Sequence, residues 1–275
     1  MKHLEKGKIK KMKKILLTSL ILFSFNTAGE ISPEIRALNE KPKSILFIGN
    51  SYLYYNDSLH NHFKNMANER FANFNGSENV KSATIGGSRL KHHDVERLIQ
   101  PLAISGVEKF DLVILQGGSG EVLSEGSRQE FNKIARQHIE IIRSKDIETA
   151  LYMTHAYTEF HNNYAPDLIR SIEEMYTLAG NTNQTLVIPV GLAFEAAYKE
   201  RPDIKLHKLD GTHPDLLGTY LAACTVFASV FRQSPVGIDY DYNGKVGAEE
   251  KLFLQKIAQI TVNNYYGLSG SHSAE

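Results

Sequence analysis

A serine hydroxyl stands at the end of the first strongly apolar stretch of the sequence. Residues 44–51 read SILFIGNS, so four consecutive apolar residues, two of them β-branched, lead into Gly-Asn-Ser. Such a run is typical of a strand buried on both faces. Asp57 then begins a helical pattern as its N-cap, and in parallel sheets the functional site lies beyond the carboxyl ends of the strands. Ser51 is therefore either a reactive hydroxyl or simply a turn former.

An aspartate and a histidine three residues apart form the second set of chemically useful groups. Residues 208–215 read KLDGTHPD, with Asp210 and His213 in a loop ahead of a helical pattern. The two side chains can act as a carboxylate–imidazole pair. The alternative is that they are turn and cap residues before the helix that Pro214 introduces.

Ser51, His213 and Asp210 together have the composition of an acyl-transfer site. A serine hydroxyl needs a base to take its proton, and the base needs an acceptor on its other ring nitrogen. That acceptor fixes the tautomer and stabilises the imidazolium. Asp210 can hold His213 within one loop while His213 faces Ser51. The combination predicts a serine hydrolase if the fold brings residues 51 and 213 together.

Strand and helix patterns alternate along the chain. After the first strand, strand patterns cover residues 80–85, 110–116, 148–153 and 185–190. Helical patterns cover residues 57–71, 89–104, 125–144, 166–180, 193–198, 215–231 and 248–265. This alternation predicts βαβ units. The expected fold class is α/β, a three-layer α/β/α sandwich with a central, mainly parallel five-stranded sheet, in one domain over residues 30–275.

The amino terminus has the pattern of a secretory signal peptide. Residues 2–14 carry seven Lys and one Glu, and an apolar run of 11 residues follows at 15–25. The run is short for a membrane span, so we expect residues 1–29 to be removed, with Met1 or Met12 as the start. The remaining protein is then secreted or periplasmic, without a permanent membrane span. Its 24 basic and 30 acidic residues disfavour nucleic-acid binding.

Motifs of several common α/β sites are absent from the sequence. It lacks Gly-x-Gly-x-x-Gly after the first strand, a phosphate-loop Gly-Lys-Ser/Thr, a Gly-x-Ser-x-Gly elbow and His-Glu-x-x-His. The single Cys224 can form neither an internal disulfide nor a multi-cysteine zinc site, and its apolar surroundings favour a buried thiol. His60 and His62 are expected to be solvated rather than to bind metal. We therefore expect no cofactor and no metal.

Taken together, these segments resemble the sequence blocks of the SGNH (GDSL-like) hydrolase family. The first block reads Gly49-Asn50-Ser51, with Asn in place of the commoner Asp, and Gly86-Gly87 follows the second strand like the second-block glycine. The last block, Asp-x-x-His-Pro, is matched over residues 210–214. Order and spacing agree over residues 44–231. The resemblance is strongest to an exported bacterial branch whose first block reads Gly-Asn-Ser-Tyr, and it implies the family's flavodoxin-like fold.

The resemblance implies a role for each matched residue. Ser51 would be the nucleophile, His213 the general base and then the general acid, and Asp210 the group that orients His213. The backbone N–H groups of Ser51 and Gly87 would form the oxyanion hole. Gly87 suits that position because glycine lets the backbone adopt positive φ and approach a substrate closely.

The third block departs from the family pattern. The family usually supplies an Asn amide after the third strand, whereas this strand ends at Gln116. Gln116 carries the same amide on a stem one methylene longer, and it is the expected third oxyanion donor. The backbone N–H groups of Gly118 and Ser119 are the alternative.

Four further residues near the predicted strand ends are weaker candidates for substrate contacts: Asn50, Tyr52, Arg89 and His155. Arg89 can equally belong to a solvated helix face. Tyr52 belongs to an aromatic cluster whose rings can stack on sugar faces or pack under the loop.

The expected activity is that of a serine esterase acting on acyl esters, with O-acetyl groups on an extracellular carbohydrate as the expected substrate. The substrate is argued by analogy with the family. The alternatives are a lipase or thioesterase of the same family and a non-catalytic glycan-binding pseudoenzyme on the same fold. The expected partner is a small acyl ester or an acylated glycan, and the sequence does not indicate an oligomeric state.

Overall fold

Five parallel strands form the central sheet of the computed structural model, which describes residues 31–268. The strands are Ile45–Gly49 (β1), Val80–Thr84 (β2), Leu112–Gln116 (β3), Glu148–Tyr152 (β4) and Leu186–Ile188 (β5). Their order across the sheet is β2-β1-β3-β4-β5, and each neighbouring pair is parallel. The predicted α/β class with a central five-stranded sheet is confirmed.

Helices cover both faces of the sheet. In the described part of the chain they are Ser51–Tyr54 (α1), Leu59–Arg70 (α2), Gly76–Asn79 (α3), Val95–Leu98 (α4), Glu125–Arg143 (α5), Leu168–Thr182 (α6), Val190–Glu200 (α7), Leu216–Phe231 (α8) and Ala248–Tyr265 (α9). Helices α2, α7, α8 and α9 contribute to the core on one face, and α5 and α6 contribute to the core on the other. Short 3-10 turns lie at Leu90–His92 and Ser119–Val122.

The first strand shows why the sequence folds this way. Successive side chains of a strand point to opposite faces, so Ile45 and Phe47 join one core while Leu46 and Ile48 join the other. All four are buried. A strand covered on both faces needs an unbroken apolar run, and its carboxyl end must then deliver the chain to one edge of the sheet.

The helix predicted over residues 89–104 is wrong. The segment instead contains the 3-10 turn and the single helical turn α4, in which the Asp94 carboxylate accepts a hydrogen bond from the Arg97 N–H. Pro101 has no N–H and disfavours helical geometry in the residue before it, so α4 cannot continue. The chain then turns sharply, with positive φ at Leu102 and Ser105.

Two element boundaries also differ from the prediction. Asp57 is not the N-cap of the first long helix, because Asn56, Asp57 and Ser58 all have positive φ and Ser58 directly precedes α2. Val190 begins α7 rather than ending a strand, since β5 stops at Ile188 and Pro189 precedes the helix.

Two of the predictions concern the amino-terminal segment. The predicted signal peptide at residues 1–29 lies outside residues 31–268, and the domain boundary at residue 30 stays a prediction. No helix within the described residues has the length and apolar character needed to cross a membrane.

Cys224 lies in α8 as a free, fully buried thiol.

The aromatic packing under β1 yields a stability prediction. Phe63 is fully buried, with its ring centroid 5.5 Å from that of Phe231 and 5.6 Å from that of Phe47. We expect Phe63→Ala to lower the free energy of unfolding by about 3–5 kcal/mol, since the cavity adds to the lost transfer free energy. Urea unfolding measures this change.

The matched control for Phe63 is Phe160, whose side chain is 71% exposed. We expect Phe160→Ala to change the unfolding free energy by less than about 0.5 kcal/mol. Similar losses in the two variants would contradict the packing described for Phe63.

Candidate active site

The chain turns sharply where β1 ends, and Ser51 is the first residue of α1. Asn50 caps this short helix, because its side-chain oxygen accepts a hydrogen bond from the Tyr52 N–H at 3.0 Å. Gly49 is required for close packing, since a Cβ there would lie 2.3 Å from the Gln116 Oε1. The turn therefore places Ser51 at the carboxyl edge of the sheet, 7% exposed.

Both polar atoms of the Gln116 side chain are engaged by backbone groups. Its Oε1 accepts a hydrogen bond from the Asn50 N–H at 2.8 Å, and its Nε2 donates to the Gly117 carbonyl. The side chain is only 1% exposed. This corrects the expectation that Gln116 is a third oxyanion donor. In the structure its amide hydrogen-bonds to the backbone of the turn that carries Ser51 and to the Gly117 carbonyl.

The alternative donor at Gly118 is also engaged. Its N–H donates to the Glu121 carboxylate, which in turn accepts a hydrogen bond from the Leu90 N–H at 3.3 Å. Burial raises the pKa of Glu121 above its ordinary value, and these hydrogen bonds only partly offset that effect. The carboxyl therefore braces the loop after β3 against the loop after β2.

The loop after β2 lies directly beside the turn that carries Ser51. The Ile85 N–H donates to the Gly49 carbonyl at 3.0 Å, and the Asn50 Nδ2 donates to the Ser88 carbonyl at 2.9 Å. Gly87, between these two anchors, has a φ of +66° and is exposed. Within residues 31–268 no protein group accepts a hydrogen bond from the N–H of Ser51 or of Gly87. Both donors are thus available to a ligand.

A buried histidine fixes the far end of the same loop. The Ser88 hydroxyl lies 2.9 Å from the Nε2 of His93, and both residues are buried. Burial, followed by the neighbouring His138 and His92, lowers the pKa of His93 to about 4. The ring is therefore neutral at physiological pH, and it holds Ser88 rather than facing a substrate.

The Asp210 carboxylate organises the second loop. Its Oδ1 accepts hydrogen bonds from the N–H groups of Thr212 and His213, each at 2.9 Å, and its Oδ2 lies 2.8 Å from the His213 Nδ1. Gly211 has a φ of +71°, and a Cβ there would lie 2.7 Å from the Thr158 Oγ1. A glycine is therefore needed for this tight turn.

Hydrogen bonding keeps Asp210 ionised. Partial burial alone would raise its pKa, but the Thr212 N–H, the His213 ring and the His213 N–H together have the larger effect and lower it to about 2. The carboxylate is therefore a permanent acceptor for the Nδ1–H of His213, which leaves Nε2 as the nitrogen with a free lone pair.

The His213 Nε2 lies 2.9 Å from the Ser51 Oγ. The structure thus brings together Ser51, His213 and Asp210, the three residues that the sequence proposed, in one chain of hydrogen bonds. A neutral imidazole in this tautomer can accept the hydroxyl proton, and the carboxylate can stabilise the resulting imidazolium. The arrangement has the geometry required for nucleophilic catalysis by a hydroxyl.

Two residues expected to contact a substrate are instead buried supports of this loop. The His155 Nε2 lies 2.8 Å from the Thr212 carbonyl, and the Tyr52 hydroxyl lies 2.7 Å from the Thr212 Oγ1. The imidazole of His155 is stacked between the rings of Tyr52 and Phe194, at centroid distances of 4.2 and 4.3 Å. Burial, with the nearby His207, holds the pKa of His155 well below its ordinary value, so the ring is neutral.

Of the other two residues expected to contact a substrate, Asn50 is buried and Arg89 is partly exposed. Asn50 is 5% exposed; its side-chain oxygen accepts a hydrogen bond from the Tyr52 N–H, and its Nδ2 donates to the Ser88 carbonyl. Arg89 is partly exposed, with a guanidinium nitrogen 3.7 Å from Glu130. Sequence reasoning missed Thr212 and Ser88 as supports; the only signal for Thr212 was a hydroxyl between Asp210 and His213.

Aromatic rings form the rim of the site. The Tyr55 ring lies 4.6 Å from that of His213 and 5.5 Å from that of Tyr54, which is 40% exposed. The Lys208 ammonium lies 5.2 Å from the centre of the Tyr55 ring. The opening therefore combines flat apolar faces with one cation.

His62, one of the two histidines of α2 considered for metal binding, has a structural role. No group of three or more His, Cys, Asp or Glu side chains suited to a metal ion occurs in the described residues. His62 is buried rather than solvated, with Nε2 2.8 Å from the Asn56 carbonyl and Nδ1 3.2 Å from the Tyr240 hydroxyl. Both of its ring nitrogens are therefore engaged, Nε2 by the loop before α2 and Nδ1 by Tyr240.

Comparison with solved structures identifies the fold. No protein-family model and no curated protein matches the sequence. Among solved structures, a DUF4886 family protein from Bacteroides uniformis ATCC 8492 has a TM-score of 0.60 at 19% identity, over 81% of this chain and 95% of that one. A candidate SGNH hydrolase from Slackia heliotrinireducens has a TM-score of 0.55 at 19% identity, over 68% of this chain and 97% of that one. The chain has the SGNH-hydrolase fold.

A third structure with this fold is the acetyl xylan esterase AlAXEase. Its TM-score is 0.51 at 16% identity, over 68% of this chain and 99% of the esterase. Because all these identities are below 20%, the likeness concerns the fold rather than the substrate. In open parallel α/β sheets, sites lie beyond the carboxyl ends of the strands, and Ser51 and His213 meet at that edge.

The hydrogen bonds to Asp210 yield a pH-dependent prediction. The wild-type carboxyl is expected to titrate near pH 2 and to stay mostly ionised at pH 3. In His213→Ala the ring donor is lost while the Thr212 N–H remains, so the pKa should rise toward the ordinary aspartate value of about 3.9. Carbon-detected NMR of the side-chain carboxyl measures both titrations. An identical midpoint in the two proteins would contradict the ring–carboxylate bond.

Proposed function

We propose that this protein is a serine esterase that uses Ser51, His213 and Asp210. The observation that carries the proposal is the continuous hydrogen-bonded chain from the Ser51 Oγ to the Asp210 carboxylate, with links of 2.9 and 2.8 Å. The chain lies at the carboxyl edge of a parallel sheet, beside two unengaged backbone donors. This combination suits acyl transfer.

The proposed reaction begins with attack of the Ser51 Oγ on the ester carbonyl carbon, while the His213 Nε2 takes the hydroxyl proton. The imidazolium is stabilised by the ionised Asp210. The tetrahedral intermediate collapses as His213 gives the proton to the leaving alcohol, and an acyl-enzyme remains. Water then attacks the acyl group with His213 as base, and the returned proton restores the Ser51 hydroxyl and releases the acid.

The backbone N–H groups of Ser51 and Gly87 are the proposed donors to the oxyanion. Each such donor contributes about 3 kcal/mol because it acts on charge that appears only in the intermediate. Glycine at position 87 supports this assignment, since its φ of +66° strains any other residue. The buried Gln116 has no part in this scheme except to hold the Asn50 N–H in place.

The proposed substrate is an O-acetyl ester on an extracellular carbohydrate. Three observations support this choice: the aromatic rim of the site, the signal-peptide pattern of residues 1–29, and the fold shared with an acetyl xylan esterase. We assign the protein to the exported branch of the SGNH hydrolases with a Gly-Asn-Ser-Tyr first block, and to a secreted or periplasmic location. A lipase or thioesterase activity would use the same catalytic groups on a longer acyl chain.

The geometry argues against a glycan-binding pseudoenzyme. A fold without catalytic function would not need Ser51 and His213 within hydrogen-bond reach, and a separation above about 5 Å would be expected. The observed separation of 2.9 Å favours the catalytic alternative.

The first test of the proposal is turnover of p-nitrophenyl acetate. We expect Ser51→Ala to reduce kcat at least about 1,000-fold, because no other group replaces the nucleophile. The control is Ser77→Ala, an exposed serine in α3 that should retain wild-type turnover. Equal rates for wild type and Ser51→Ala would refute the proposed nucleophile.

The second test separates the charge of Asp210 from its shape. Asp210→Asn keeps an oxygen for the Thr212 and His213 N–H groups but removes the charge and can favour the wrong imidazole tautomer. We expect kcat to fall roughly 10- to 1,000-fold, and further in His213→Ala. Asp146→Asn, exposed at the opposite end of the sheet, is the matched control. If Asp210→Asn retained wild-type kcat, Asp210 would be only a turn residue.

A further inference from the structure

A cavity of about 860 Å³ lies against the loop that carries His213. It is bounded by residues 156–166, by α7 and by residues 202–209. Its volume is that of a typical small-molecule site. Ser51 and His213 are not among the described residues that line it, so it is a separate compartment beside the catalytic groups.

The cavity and the proposed active site share one wall. Lys208 lines the cavity, and its ammonium lies 5.2 Å from the Tyr55 ring, which is itself 4.6 Å from the His213 ring. Leu209, another lining residue, directly precedes Asp210. Two side chains, those of Lys208 and Tyr55, therefore separate a ligand in the cavity from the His213 imidazole.

Large apolar side chains are exposed at the mouth of the cavity. Leu209 is 96% exposed, Phe160 71% and Tyr164 45%, while Phe194 and Tyr157 are buried lining residues. Exposed large apolar side chains grouped around a concavity are typical of a binding surface. The flat faces of Phe160 and Tyr164 suit the C–H faces of sugar rings.

The charged lining has no excess of either sign. Three acidic and three basic side chains line the cavity: Glu159, Glu195, Asp215, Lys199, Lys205 and Lys208. Several are already paired, since Lys199 lies 3.1 Å from Glu195, and Lys208 lies 3.8 Å from Asp215. This mixture disfavours a strongly charged ligand, and it disfavours an acyl chain, which would leave ionic groups without solvent. Hydroxyl groups can bond to both signs at once.

We propose that this cavity binds a neutral glycan chain and thereby presents an attached acyl group to Ser51. The aromatic faces of Phe160 and Tyr164 pack against sugar rings, and the sugar hydroxyls form hydrogen bonds with the paired acidic and basic side chains. The inference rests on the proposed esterase function and adds the site that selects a polymeric substrate.

The test measures binding rather than turnover, so that it is independent of catalysis. The protein is the Ser51→Ala variant, and the probes are xylohexaose, cellohexaose, mannohexaose and chitohexaose, with sodium octanoate as the acyl-chain probe. Calorimetry compares this protein with the same protein carrying Phe160→Ala and Tyr164→Ala. We expect at least one hexasaccharide to bind, and its Kd to rise about tenfold when both rings are removed.

The control is Ile260→Ala in the Ser51→Ala protein, which truncates a 53% exposed side chain of α9 outside the cavity and should leave the Kd unchanged. Unfolding midpoints verify that each variant folds, and each ring is also removed singly in case the double variant does not. Absence of hexasaccharide binding, or binding unaffected by loss of the rings, would overturn the proposal. So would octanoate binding that requires the rings. Failure of the esterase itself would appear separately, as ester turnover unaffected by Ser51→Ala.

Discussion

The His213 loop is anchored to the protein interior by a buried hydrogen bond from the His155 imidazole to the Thr212 carbonyl, beside the bond between the Tyr52 hydroxyl and the Thr212 Oγ1. A neutral imidazole in a low-dielectric interior must direct its single N–H to an acceptor, because an unpaired buried donor is costly. The rings of Tyr52 and Phe194 on either side fix its orientation. The backbone between Asp210 and His213 is therefore held from within the protein, although the carboxylate itself is exposed to solvent.

The nucleophile side of the site depends on amide side chains in an analogous way. The ends of parallel strands leave backbone N–H and carbonyl groups without sheet partners, and Gln116 and Asn50 satisfy them with one acceptor and one donor each. This explains the Asn in the first block physically. An aspartate at position 50 could accept from the Tyr52 N–H, but it could not donate to the Ser88 carbonyl that ties the glycine loop to the turn.

The supporting side chains and the proposed catalytic groups lie at different depths. Polar side chains just below the surface, including His93 and His155, use their hydrogen bonds on backbone groups, and burial keeps both rings neutral. The groups arranged for reaction lie one layer further out, where Ser51 and His213 meet. This separation leaves the 208–215 loop free to line the proposed active site and the neighbouring cavity at the same time.

The sequence by itself determined the sheet, most long helices and the three residues of the hydrogen-bonded chain, because unbroken apolar strands and an Asp-x-x-His loop are local patterns. It did not determine the roles of Gln116, His155 and Tyr52. Each is a polar residue near a strand end, where pattern alone cannot separate a buried support from a substrate contact. Only the tertiary structure decided this, since burial and hydrogen-bond partners depend on residues far apart in the chain, as the contact of His155 with Thr212 shows.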